Sequence, residues 1–365
     1  TSGSLMNSRR ELLRRAIALS PLLVSGRGRA MSEATHAERG IAASIARWDA
    51  FGIHRTGTDA DRATGLWLRD AAAALGHDPR IEAFPFRRRT PTAATLTLAD
   101  GSRIDGVPLF DGGQCPDGLD ATLGGEAGQI PVLRTPPYDA MPGARALEDA
   151  RHAAPHPAIV AVTDDRHVRS GLALLNAESF HAPFGPPVLQ VGSEHLARLE
   201  GARGSAARMH ISFEQSRVEA SNVRVDVSGR DPSLAPVVVI TPRSSWWHST
   251  SERGGGIALW LDLLAHFSTH PPRRPLVFTA NTGHELGHVG MQRFLDVEEA
   301  LVRGAHCWVH LGANFAAVAP GQVRIQASSA ALMDAMDRAL ADEGVTVGAR
   351  TEVGAAPYGE ARDID

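Results

Sequence analysis

The chain contains no lysine; all 37 of its basic residues are arginine. That excludes Schiff-base chemistry on a lysine amine. Its two cysteines, Cys115 and Cys307, are too few for a disulfide framework or an all-thiolate zinc site. No apolar run reaches the roughly 18 residues that a membrane-spanning helix needs. A formal charge of −4, with no basic patch interleaved with aromatics, gives no nucleic-acid signature. What remains is ordinary globular composition, 43% hydrophobic and 21% charged. The 365 residues suffice for two domains, or for one large domain with an insertion.

The N-terminal 35 residues read as a leader. Ser8-Arg9-Arg10-Glu11-Leu12-Leu13-Arg14 resembles a twin-arginine export motif, and a short apolar stretch, Ala16 to Val24, follows it. Export to the periplasm or the exterior is the expectation. The alternative is a cytoplasmic chain with a basic leader ahead of an internal start at Met31.

Residues 36–76 read as helical, with Leu66, Leu68, Ala72 and Leu75 at roughly helical spacing and Gly76 as a stop. Arg80 to Phe86 alternates like a strand. Between 100 and 213, short strand-like pieces alternate with turns rich in glycine and proline, as in a small β-rich module inserted into a larger domain. Ser221 to Val227 restarts a strand. From Pro236 the pattern becomes strand, helix, strand: Val237 to Ile240, Gly256 to Phe267, Arg274 to Asn281, Gly290 to Leu295, Ala305 to Leu311, Ala330 to Glu343. Continuous apolar strands alternating with helices predict an α/β domain with a doubly wound, mixed but mostly parallel sheet flanked by helices. In such sheets ligands bind beyond the carboxyl ends of the strands. Those ends carry Thr241-Pro242-Arg243, Asn281 to His288, and His310 to Asn314.

His284-Glu285-Leu286-Gly287-His288 spells H-E-x-x-H, which on one helix would offer two imidazoles to zinc and a glutamate base between them. On that reading His288 is a metal ligand. Gly283, Gly287 and Gly290 disfavour a helix through these residues. The preceding strand favours a second reading, with His284-Glu285 in a strand-end loop and His288 at the start of the next helix.

The order of segments resembles the co-catalytic zinc aminopeptidase family, which also contains glutamate carboxypeptidases and glutaminyl cyclases. His54-Arg55-Thr56-Gly57-Thr58 and the helix after it resemble the family's opening cluster. Residues 100–213 resemble its protease-associated insert, and Asn222 to Gly229 the strand entering the catalytic domain. Glu252-Arg253-Gly254-Gly255-Gly256 and Phe278 to Met291 resemble two of its metal-site segments. The resemblance implies an aminopeptidase-like α/β domain over 36–99 and 214–365, interrupted by the insert. It also implies departures. Pro242 stands where a histidine ligand is expected, Glu252 for a bridging aspartate, His284-Glu285 for a Glu-Glu pair and Gly312 for a second aspartate. The late histidine is expected beyond Asp365.

An ordinary two-zinc site is therefore not expected. One zinc or other divalent cation could be held by some of Glu252, Glu285, His310 and His248, since zinc takes three or four N/O ligands. No cofactor at all is the equal alternative. His284 and Glu285 are the candidate catalytic residues, an imidazole being suited to proton transfer near neutrality. Arg243 and Arg253 could bind a substrate carboxylate or pair structurally with Glu252 and Glu285. Trp246 and Trp247 could wall an apolar or ring-bearing substrate. The expected function is hydrolysis of an amide or peptide bond in a small or peptide substrate. The alternatives are a non-catalytic binding protein and a metal-independent enzyme using His284 and the arginines.

Overall fold

The computed structural model describes residues 40–137, 141, 143–153, 155–312 and 323–352. The leader read from the sequence lies outside them, as does the segment after Glu352. The described residues form two compact units. The first comprises the chain up to Phe84, Ala220–His284 and the chain from His288. The second comprises Pro85–Glu219 together with Glu285–Gly287.

In the first unit, Val237–Pro242 lies parallel to Leu276–Asn281, from Val237 beside Leu276 to Pro242 beside Asn281. Cys307–His310 adds in parallel on the far side of Val237–Pro242. The end of the strand Ala206–Val227 pairs antiparallel with Leu276–Asn281. The sheet is therefore mixed rather than mostly parallel. Ala206–Val227 precedes the strand–helix–strand repeats, so no crossover helix forces it into the parallel direction.

Alternation sorts the apolar strand residues between two layers. Val239 and Phe278 face a core with Trp48, Leu68, Ile257, Trp260 and Leu264. Val238, Ile240 and Val277 face the opposite core, with Met291, Phe294 and Leu295. Burial on both faces explains why these strands read as unbroken apolar runs. The helices Asp59–Ala74 and Gly255–Thr269 cover the first face, and Val289–Val297 the second. Gly256 lets its helix start against the strand ends. A Cβ there would stand 2.5 Å from the Leu311 carbonyl oxygen and 2.9 Å from Thr241 Oγ1. Toward the C-terminal end, Val323–Ala327 and Val347–Glu352 pair in parallel around the helix Ala330–Asp342, whose N-cap Ser329 accepts from the Leu332 N–H.

The second unit holds a four-stranded sheet in the order Val107–Pro108, Val188–Val191, Ile159–Thr163, Val132–Thr135. The last three are mutually parallel and the first is antiparallel. Two pairs of strand-like pieces, Arg80 to Phe86 with Thr95 to Leu98 and Arg208 to Phe213 with Ser221 to Val227, are continuous strands: Pro79–Leu98 has 20 residues and Ala206–Val227 has 22. Their middles are arginine-, glutamate- and threonine-rich and partly exposed, so they carry no hydrophobic signal although the backbone stays extended. Cys115–Thr122 was not expected as a strand, because Pro116 and Gly118 break its pattern. A register shift between Cys115 and Leu119 accommodates them. No helix among the described residues is long and apolar enough to cross a membrane.

Candidate functional site

The parallel strands of the first unit end at Pro242 and Asn281, and a small cleft opens there. Thr241, Pro242, Asn281, Thr282, His284, His288 and Met291 line it. The chain leaving Asn281 does not continue as a helix. Gly283, Gly287 and His288 have φ of 82°, 63° and 52°, all left-handed, and helix resumes only at Val289. The H-E-x-x-H residues therefore form a turn with His288 as the following helix's N-cap, and no single helical face carries both imidazoles. The turn still brings the two rings together edge-to-face, with centroids 4.5 Å apart.

Ser244 fixes this turn. Its hydroxyl oxygen accepts from the Gly283 N–H at 2.8 Å and from the His284 N–H at 3.2 Å. Val289 N–H returns to the Gly283 carbonyl, and Gly290 N–H to that of Thr282. The His284 ring is half-buried, and its Nδ1 is buried without a hydrogen-bond partner among the described residues. Burial pushes its pKa well below the usual histidine range, and the positive charge of Arg253 and protonation of His288 or His310 push it in the same direction. At neutral pH His284 is a neutral imidazole.

The other residues singled out in the sequence have their own local partners. Glu285 is buried and packs with the second unit, where its carbonyl accepts from Ala177 N–H at 2.9 Å. Gly287 is held there as well; a Cβ would stand 2.7 Å from the Glu178 carbonyl oxygen. Glu252 lies on a single π-helical turn, Thr250–Gly254, and pairs with Arg253 at 3.1 Å. Arg253 is buried and donates through Nε to the Ser244 carbonyl. His248 is exposed and faces Asp49 Oδ1 at 3.3 Å, an oxygen that also accepts from the Thr250 hydroxyl. His310 ends its strand exposed, its ring 3.2 Å from where a Cβ at Gly312 would stand. Trp246 is buried and Trp247 is 40% exposed.

Arg243 has a partner that the sequence reading did not supply. Its side chain is fully buried and bonds Asp61 Oδ1 at 2.7 Å, the Asp61 carbonyl and the Ser221 carbonyl. It is packed behind the site rather than open to a substrate carboxylate. Asp61 also accepts from the Gly57 N–H and the Thr282 hydroxyl, both at 2.9 Å. The available signal was position. Asp61 shares the buried stripe of its helix with Thr64, Gly65, Leu68 and Ala72.

His54, beside this helix, is fully buried, stacks on Trp48 with centroids 3.8 Å apart and meets Thr64 Oγ1 at 3.1 Å. Burial lowers its pKa to about 4, and the charge of Arg243 contributes. In the unfolded chain the same imidazole titrates near 6.5. Between those values the unfolded state binds more protons, so stability falls as pH drops from about 6.5 toward 4 and gains nothing above 6.5. The expected slope from this group approaches about 1.4 kcal/mol per pH unit. Urea midpoints measured across that window should fall with acid, and less steeply in His54→Gln; equal slopes would remove His54 from the account.

The donors do not fit a two-zinc centre. Among the described residues no group of three or more His, Cys, Asp or Glu side chains could hold a metal ion. Of the expected donors, Glu252 is engaged in an ion pair with Arg253, and His248 Nδ1 lies 3.3 Å from Asp49 Oδ1.

No protein-family model matches the chain. One stretch of 85 residues, 22% of the chain, is 38% identical to a vacuolar membrane protease of Vanderwaltozyma polyspora and spans 9% of that protein. The chain is also similar to a zinc aminopeptidase from Bacillus subtilis, with a TM-score of 0.70 and 16% identity over 89% of this chain and 82% of that one. Against a peptidase M28 precursor from Shewanella amazonensis the TM-score is 0.65, with 17% identity over 88% and 83%. An aminopeptidase from Aneurinibacillus sp. strain AM-1 gives 0.55, with 12% identity over 83% and 71%. The fold is that of the zinc aminopeptidases, without an intact metal-binding cluster among the described residues.

Proposed function

We propose that this protein hydrolyses an amide or peptide bond in a small or peptide substrate, at a site rebuilt around the neutral imidazole of His284. The observation that carries the reading is the placement of that ring. It lines the cleft beyond the carboxyl ends of the parallel strands, with a buried nitrogen unsatisfied among the described residues. Leaving such an atom unpaired costs about 1–3 kcal/mol, a cost that proteins tolerate where the group has work to do. The aminopeptidase fold and the short match to a protease support hydrolysis.

In this mechanism His284 takes a proton from the attacking water and passes it to the departing amine. The positive charge of Arg253, near enough to depress His284, favours the developing oxyanion. Ser244 keeps the imidazole's backbone in place. No step passes through a two-zinc centre, because the donor set does not fit one. We read residues 100–213 as a protease-associated-like insert and the leader as an export signal on sequence grounds.

A second reading, a non-catalytic binding protein, is favoured by the pairing of Glu252 and His248 with neighbours, which occupies groups a hydrolase of this fold would use. One assay separates the two. The full chain is incubated with a panel of aminoacyl and N-acyl-aminoacyl anilides, with and without a chelator. Turnover that survives chelation is expected. Turnover abolished by chelator and restored by zinc would sink the metal-independent site. Saturable binding of panel members without turnover of any would replace the hydrolase with the binding protein.

A further inference from the structure

Arg55 is a half-buried cation without a carboxylate partner among the described residues. Burial lowers its pKa, and among the described residues no anionic neighbour raises it back. Three more deeply buried arginines of the first unit differ from it in this. Arg243 has Asp61, Arg253 has Glu252, and Arg224 has Glu298 and Asp226. A desolvated guanidinium is costly unless an anion or hydrogen-bond acceptors surround it.

The surroundings of Arg55 leave one side of it to be satisfied. Its Nε donates to the Trp246 carbonyl at 3.2 Å. Its guanidinium carbon lies 5.9 Å from the Trp246 ring centroid and 5.5 Å from that of Trp247. Stacking on indole faces stabilises the cation and holds its plane. Among the described residues the two terminal amino groups make no hydrogen bond, and they present the fork that matches a carboxylate. Trp247 and Ile53, which lies two positions before Arg55, are two of the four large hydrophobic side chains exposed among the described residues. A fixed cation edge beside exposed apolar surface recognises a particular chemistry: an anionic carboxylate attached to a ring or other apolar group.

We propose that Arg55, with Trp247, is a subsite for a substrate ending in a free carboxylate on an aromatic or bulky apolar residue. Arg55 takes the carboxylate and Trp247 the ring. This names the substrate class for the hydrolase reading and rests on it for biological meaning, but binding at the subsite is measurable without turnover.

The test is calorimetric titration of the full chain with N-acetylphenylalanine and, separately, with its amide. The acid should bind at least about tenfold more tightly than the amide, since a charged hydrogen-bonded pair replaces a neutral one. Arg55→Gln should abolish that preference, and Arg55→Lys should keep part of it, as charge without the planar fork. Trp247→Ala should weaken both ligands alike. Urea midpoints of each variant establish that it is folded; the Arg55→Lys comparison and the acid-to-amide ratio stand even where Arg55→Gln is unstable. Equal binding of acid and amide, an undiminished preference in Arg55→Gln, or no saturable binding of the acid at millimolar concentration would overturn the proposal. A chain that binds the acid but hydrolyses no amide keeps the subsite and loses the hydrolase. One that hydrolyses amides with no preference for a carboxylate does the reverse.

Discussion

Arg243→Met should destabilise the protein by about 3–5 kcal/mol, the range for removing one partner of a buried ion pair. The side chains of Arg243 and Asp61 are 0% and 2% exposed, so neither charge has water to fall back on. With Arg243 gone, Asp61 keeps the Gly57 N–H and the Thr282 hydroxyl but loses the one cation that pairs with it among the described residues. Burial already pushes the Asp61 carboxyl up, against the pull of Arg243 and these hydrogen bonds, so the lone carboxyl would take up a proton. That relieves part of the charge penalty and leaves the Ser221 and Asp61 carbonyls without their donor. The guanidinium also packs closely on Gly65, where a Cβ would stand 3.3 Å from its carbon, and methionine would not reproduce that flat contact. The double variant Asp61→Asn, Arg243→Met should recover a sizeable fraction of the loss, because no buried charge is then stranded. Urea unfolding of the three variants measures this. A single-variant loss under about 1 kcal/mol would mean that the pair is solvated in practice. Thr282 bonds Asp61 and directly precedes Gly283-His284, so the same variant should also loosen the His284 turn.

The parts of this architecture that were legible in the sequence are those encoded locally. Val237 to Ile240 and Phe278 to Ala280 read as buried parallel strands because an unbroken apolar run has few other uses at that length. Gly283 and Gly287 announced that H-E-x-x-H would turn rather than coil, since left-handed φ is inexpensive only for glycine. His288 adopts the same region without being glycine, a cost the sequence does not display. What remained hidden depends on pairing across the chain. Asp61 and Arg243 are 182 positions apart, and Arg55 and Trp246 are 191 apart. No local period links such residues. Position after a strand consequently points Arg243 at the cleft, and Arg55 shows in the sequence only as part of the His54–Thr58 cluster, because its neighbours are defined only by the folded loop. The mixed sheet was obscured for a related reason. Strand direction follows from how the chain returns to the sheet, and the residues of Ala206–Val227 look alike in either sense.

His284→Gln should reduce kcat by about two to four orders of magnitude on any substrate the protein turns over, the contribution typical of a positioned acid–base group. Glutamine preserves size and hydrogen-bonding capacity, so the urea midpoint should move little or rise slightly as a poorly satisfied imidazole leaves. The pH dependence separates proton transfer from a merely structural role. The reaction needs neutral His284. Its pKa lies well below 6.5, so the wild-type rate should stay flat through neutrality and decline only well on the acid side of 6.5. Burial sets most of that displacement, and the charges of Arg253 and of protonated His288 and His310 add to it in the same direction. Removing one of them must therefore let the His284 pKa rise. In His288→Gln the acid limb of the rate profile should shift toward higher pH, by less than the full return to 6.5 because burial persists. A structural role for His288 would change the height of the profile and leave its limb in place. An unmoved limb in His288→Gln, or a His284→Gln enzyme with wild-type turnover, would take the proton transfer away from this turn.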